Sequence, residues 1–183
     1  MPRTAQLSKS ERAKRLIPIF QNHGYEGATL NKLARATELS KASLYHHYPK
    51  GKEDMARHAV AYTGQRLQRH IIAPLTDTSI APKAAIIQSL DGVLAYYNSP
   101  IPICLMNSMR LGEGNNLFGQ QIKQAVSVWT NSLKTNFLKL QYSNDEASEL
   151  STSIVKTIQG ALIFCRLEEC STPLEQYIGQ AKS

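Results

Sequence analysis

Between residues 29 and 48 the chain carries two candidate helices, seven and eight residues long, separated only by the four-residue turn "TELS". Thr29 precedes the first, Leu30 to Ala36, and Ser40 precedes the second, Lys41 to Tyr48. Each hydroxyl is placed to accept a free first-turn N–H. Pro49 ends the second, because a residue before proline avoids helical dihedrals. Isolated helices below about 12 residues are marginal in water, so this pair must pack on longer neighbours. Leu39 and Leu44 are the expected inward residues. At roughly 100° per residue, Lys41, Ala42, Ser43, Tyr45 and His46 then cover much of the remaining surface of the second helix.

The rest of the chain also reads as helix, since apolar residues recur at three- and four-residue spacing without strand-like alternation. "SKSE", Ser8 to Glu11, has the capping-box spacing and opens a first helix that closes near Gly24. Pro18 lies inside it and predicts a kink or a late start. A fourth helix is expected over Lys52 to Ala73, closed by Pro74, with "LTDTSIAP" as a boundary. Pro82 suits the first turn of a helix reaching about Asn98, and "SPIPI" breaks the chain again. A short apolar segment, Ile103 to Leu111, is followed by the turn-rich "GEGNN", then by helices near Leu117–Leu140 and Asp145–Glu169, and "STPLEQYIGQ" starts a short last one. The predicted fold class is all-α.

Charge divides this helical chain. Residues 1–75 carry 13 Lys and Arg against 5 Asp and Glu and hold all five histidines, whereas residues 76–183 carry 8 against 9. Such asymmetry points to a basic module that meets nucleic acid or a charged surface, joined to a neutral one. Cys104, Cys165 and Cys170 are odd in number and lack metal-type pairing, which argues against a disulfide framework. "MPRTAQLSKSERAKR" contains no apolar core of a leader and no run approaches the length of a membrane span. A cytoplasmic protein without membrane association is expected.

The free face of the second short helix has what a DNA duplex requires. It combines positive charge, small side chains that permit close approach, and hydroxyls or imidazoles that reach phosphate or base edges. Two short helices about a tight turn form a helix-turn-helix pattern with the second as recognition helix in the major groove. A metal reading of the same histidines fails, because adjacent His46 and His47 point about 100° apart on a helix and no H-x-x-x-H accompanies them. No G-x-S-x-G, phosphate-cradling glycine loop or cysteine–histidine signature marks a catalytic centre. No catalytic residue, metal or cofactor is predicted.

At this point "HGYEGATLNKLARATELSKASLYHHYPKGKEDM" resembles the DNA-binding signature of the TetR/AcrR family of bacterial transcriptional regulators. The match is strongest at Phe20, Gly24, Tyr25, Thr29, Leu33, Ala34, Ser40, Leu44, Tyr45, His47 and Lys52. The resemblance implies that Thr29, Tyr45 and Lys52 hold backbone phosphates of a double-stranded operator. Lys41, Ala42, Ser43 and His46 then lie nearest the base edges, with His47 at the margin. Two departures stand out: the turn position usually filled by glycine is Glu38, and "PKGK" is one residue longer than the common form of its corner. Glu38 is expected to carry strain if it takes positive φ.

The resemblance also implies a domain plan, with residues 1–52 as the DNA-binding domain, the helix 52–73 as connector, and 74–183 as a helical domain for effector binding and dimerisation. Bulky or soft residues there, among them Tyr97, Cys104, Met109, Trp129 and Phe164, are candidates to line an effector pocket, with Asn107 and Arg110 as polar contacts. A homodimer built by the last two helices is implied, and Ile154, Ile158, Ala161 and Leu162 are its candidate contacts. The expected protein is a ligand-responsive homodimeric repressor, released from a near-palindromic operator by a small molecule and not an enzyme. The alternatives are a sequence-tolerant DNA binder without effector, a thiol-based regulator acting through Cys104, and a helical enzyme with an incidentally basic end.

Overall fold

The computed structural model of the chain describes residues 7–182, so part of the leader-free reading of the first fifteen residues lies outside the described residues. Helix α1, Lys9–Gly27, starts on the expected capping box: the Glu11 N–H donates to Ser8 Oγ at 3.2 Å and the Ser8 N–H to Glu11 Oε2 at 2.8 Å. The proline expectation is corrected. Non-helical dihedrals inside α1 fall at Gly24 (φ 64°, ψ −172°), not at Pro18. Pro18 and Lys14, whose carbonyl loses its partner to the proline, are both exposed, so water can satisfy that carbonyl.

The two short helices form as read, α2 over Leu30–Thr37 and α3 over Lys41–His47. Thr29 Oγ1 accepts the Lys32 N–H at 3.4 Å and Ser40 Oγ the Ser43 N–H at 3.0 Å. Leu33 and Leu44 are fully buried with Leu16 and Phe20 of α1. Leu39 is only partly covered. Glu38 takes the left-handed conformation (φ 55°) that its replacement of glycine implied, and its N–H donates back to Ala34 and Arg35.

Beyond α3, the chain departs from the sequence reading at Pro74. Helix α4, Lys52–Leu67, does not close there; it widens into a π-helical segment, Gln68–Ile72, and continues as α5, Ala73–Thr76. A proline in a helix leaves the carbonyl four residues back without a donor. The wider turn resolves this locally, with the Ala73 N–H donating to Gln68 O and the Ser89 hydroxyl to Ile71 O at 2.8 Å. The His70 carbonyl comes so close to Gly92 that a Cβ there would sit 1.8 Å from its oxygen, which requires glycine.

Helices α6 (Pro82–Tyr96), α7 (Leu105–Ser108), α8 (Gly112–Lys139), α9 (Asn144–Leu167) and α10 (Thr172–Lys182) complete the described chain. "GEGNN" is not a turn but the opening of α8. Its missing cap comes from far away in sequence, since the Glu113 N–H donates to Glu26 Oε1 at 2.5 Å. That bond and a backbone partner at Glu26 itself hold the Glu26 carboxyl below its usual range.

Two compact units result, one of residues 1–63 with 105–120, the other of 64–104 with 121–183. The first joins α7 to α1, where the Ser108 hydroxyl donates to Gln21 O at 2.7 Å. The second has Ile71, Ile72, Leu90, Val93, Trp129, Leu133, Ile158, Leu162 and Cys165 at its core. Among the described residues, no helix is long and apolar enough to cross a membrane.

Candidate nucleic-acid interface

Burying Leu44 turns the opposite side of α3 outward. Lys41, Ala42, Tyr45 and His46 are exposed, Ser43 and His47 half-covered. Ser43 is oriented by its neighbour, with the two hydroxyls of Ser40 and Ser43 2.9 Å apart. Tyr45, 48 % exposed, lies along the corner at Gly51, where φ is 64° and a Cβ would stand 3.1 Å from the Tyr45 ring. The glycine in "PKGK" therefore both makes the turn and gives the tyrosine its shelf. The acidic residue nearest in sequence, Glu38, is paired with Arg15 at 3.0 Å, which limits its repulsion of a polyanion.

His46 and His47 meet edge to face, with ring centroids 5.4 Å apart. Burial lowers the His47 pKa, with smaller contributions from the Arg12 and His46 charges. Among the described residues, no group of three histidine, cysteine, aspartate or glutamate side chains is placed to hold a metal ion.

Thr29 is exposed at the N-cap of α2, on the start of the helix that precedes the turn. Lys52 is placed differently from a free phosphate ligand: its ammonium sits 4.2 Å above the Tyr25 ring, half-covered, and its charge acts on Glu26. Lys50, one position before the turn glycine, is exposed. It was not singled out in the sequence, although the extra residue in "PKGK" was the signal, because lengthening a corner shifts which lysine faces out.

The other candidate sites separate. Tyr97, Cys104 and Trp129 are buried in the second unit. Asn107, Met109 and Arg110 belong to the first unit, where Met109 is fully buried and the Arg110 guanidinium donates to Gly119 O at 3.0 Å. Phe164 is 55 % exposed. Burial drives the Tyr97 phenol well above its ordinary range, with Cys104 and Tyr96 adding to it. Gln159, missed in the sequence, is close to Tyr97 and has both amide atoms buried without a partner, as has Trp129 Nε1. A single glutamine in the apolar run around Ile158 was the available signal.

The candidate dimer contacts also shift. Ile158, Ala161 and Leu162 point into the chain's own core and Ile154 is half-covered. One turn around α9, Ile163, Phe164 and Leu167 are exposed by 55 %, 55 % and 70 %. The broad apolar face is thus two stripes, one of which supplies the core.

Comparison with known proteins agrees with this anatomy. The family model described as "Bacterial regulatory proteins, tetR family" matches residues 17–59, and that of the "Transcriptional regulator LmrA/YxaF-like, C-terminal domain" matches residues 97–180. The HTH-type transcriptional regulator YxaF of Bacillus subtilis is 26 % identical over 160 residues, covering 85 % of this chain and 83 % of that protein. The HTH-type transcriptional repressor DhaR of a Mycobacterium species is 24 % identical over 168 residues, 87 % of this chain and 83 % of that one. A cysteine variant of the TetR family regulator CifR, solved with a 26-bp double-strand operator DNA, superposes with a TM-score of 0.75 at 19 % identity, covering 100 % and 98 % of the two chains.

Proposed function

Because the chain belongs to the TetR family of DNA-binding transcriptional regulators and is not an enzyme, we propose that it is a homodimeric repressor that leaves a near-palindromic operator when a small molecule binds its second unit. The observation that carries the DNA side is the outward face of α3, where Lys41, Ala42, Tyr45 and His46 stand clear of the core on a helix capped at both its own start and that of α2. In this reading Tyr45 and Thr29 hold phosphates. Lys41, Ala42, Ser43 and His46 face base edges, and His47 lies at the margin. Lys50 takes over the outer phosphate from Lys52, whose charge is turned toward Tyr25.

The effector is uncharged and carries both donors and acceptors. Support comes from the second unit's interior, where the Gln159 amide and Trp129 Nε1 are buried without partners beside Tyr97, and such groups call for a matching ligand or water. The Ile163, Phe164 and Leu167 stripe of α9 supplies the twofold contact, and Gly160 beside it leaves open space for a close approach. The effector acts through its difference in affinity for two dimer states, with α4, which contributes residues to both units, as the lever.

Selection of bound duplexes from a random pool tests the reading. The expected winner is a near-palindrome bound roughly 10³-fold or more above random DNA and weakening steeply with salt. Enrichment of no sequence would sink the operator-reading role.

A further inference from the structure

A cavity of about 520 Å3 lies within the first unit, among the first turn of α1, the end of α3 and the first turns of α4. Its wall is rich in donors. Lys9 and Arg12 come from α1, and among the described residues neither belongs to an ion pair. Arg57, the remaining full cation on the wall, is held by Glu53 at 2.7 Å. The carboxylate on the wall, Asp54, is occupied in capping the corner before α4, accepting the Lys50 N–H at 2.6 Å.

Two polar atoms of this wall are buried with no hydrogen-bond partner, Tyr48 OH and Arg12 Nε, and Tyr48 as a whole is only 4 % exposed. Buried donors without acceptors are rare in folded proteins and mark a place where something else is bound. A group that only accepts, and carries negative charge, answers both orphans and both unpaired cations at once.

We propose that this cavity is a binding site for a phosphate oxyanion, held between Arg12 and Lys9 with the Tyr48 hydroxyl donating to it. The phosphate is either a free small anion or a backbone phosphate of bound DNA. Proton linkage follows from the two imidazoles on the same wall. Burial lowers the pKa of both His47 and His58, and the surrounding cations add to this, Arg12 and His46 acting on His47, and Lys9 and Arg12 on His58. An anion among them reverses that field and draws in protons, with Asp54 already favouring the charged imidazoles. Binding therefore strengthens as pH falls.

The test is the thermal midpoint of the full chain in phosphate or sulfate against chloride at matched ionic strength, with sulfate as the anion whose charge stays constant between about pH 8 and about pH 6. The expected result is a saturable rise, larger at the lower pH, as for any ligand of the native state. Arg12→Gln abolishes it. Lys9→Gln, at an exposed position that leaves the fold intact, weakens the anion severalfold, while Lys14→Gln on the same helix outside the cavity leaves it unchanged. The same variants are titrated with a random-sequence duplex. A severalfold loss in Lys9→Gln beyond that in Lys14→Gln, without an anion shift in the free protein, assigns the site to a DNA phosphate. An anion shift without that loss assigns a free small anion, and both together assign a site open to either. No anion-specific shift with equal duplex affinity in the two lysine variants, or equal anion shifts in both, overturns the proposal.

Discussion

Helices α3 and α9 each leave one stripe uncovered, and the two stripes differ in kind. The first presents Lys41, Ala42, Tyr45 and His46; the second presents Ile163, Phe164 and Leu167. A surface left bare by its own fold reflects what covers it in use. Charge and hydroxyls among small side chains suit a hydrated polyanion, whereas adjacent large apolar side chains, exposed by more than half, suit a second apolar surface such as another copy of the chain. The contrast teaches that exposure alone says little, and that the chemistry of the exposed atoms names the class of partner.

Breaking the α9 stripe should have the larger consequence. Phe164→Asp places a charge in the proposed twofold contact. Truncating such an anchor costs about 2 kcal/mol or more of association. Losing the dimer also removes the linkage of two operator half-sites, worth roughly 10²–10⁴ in apparent affinity. Sedimentation should show monomer at micromolar concentration, and operator binding should fall by about 10²-fold or more. An unchanged dimer would move the contact off α9.

Changes on α3 should be smaller and of two kinds. Tyr45→Phe removes a hydrogen bond to a charged phosphate, worth about 1.5–3 kcal/mol, and should weaken all duplexes alike. Lys41→Ala should change which bases are preferred, by about 1–3 kcal/mol at one position. Binding measured on the selected operator and its single-base variants separates them. Equal loss on every sequence for Lys41→Ala would assign that lysine to phosphate.

The α3 side of this contrast was legible in the sequence and the α9 side only partly so. Caps, a proline stop and a buried leucine are local signals, and Thr29, Ser40, Leu44 and Glu38 all behave as their neighbours in sequence dictate. The α9 face was read as one broad surface because periodicity reports that a residue is apolar, not which of two adjacent stripes is consumed by the core. Ile158 and Leu162 went inward only because α10 and other helices of the same unit cover them. The start of α8 was hidden for a similar reason. Its cap is Glu26, 87 residues away, so "GEGNN" carries no local mark of a helix.

Within the second unit, Gln159→Leu sharpens the effector side of the comparison. Its amide atoms are buried and unpartnered, so an apolar replacement should raise the stability of the ligand-free protein by about 1–3 kcal/mol, seen as a higher denaturation midpoint with unchanged cooperativity. Inducer response should fall in the same variant. A destabilised Gln159→Leu would mean that the amide has partners in the free protein and is no vacancy for a ligand.

The smallest effect expected is a pH dependence confined to the first unit. His47 and His58 titrate lower in the folded chain than the ordinary imidazole value of 6.5, through burial first and neighbouring cations second. Below that value the unfolded chain binds more protons than the folded one, so stability rises with pH there. The loss begins as pH falls through about 6.5 and stops only below the lowered folded values. Thermal midpoints in chloride should thus decline between about pH 7.5 and about pH 5.5, and His58→Gln should flatten the decline without altering the midpoint at the upper end by a comparable amount. Gln159→Leu should leave the slope untouched, since no imidazole lies near it among the groups that act on Tyr97. A slope that followed Gln159 and ignored His58 would place the proton-sensitive region in the second unit, and with it remove the electrostatic distinction between the two.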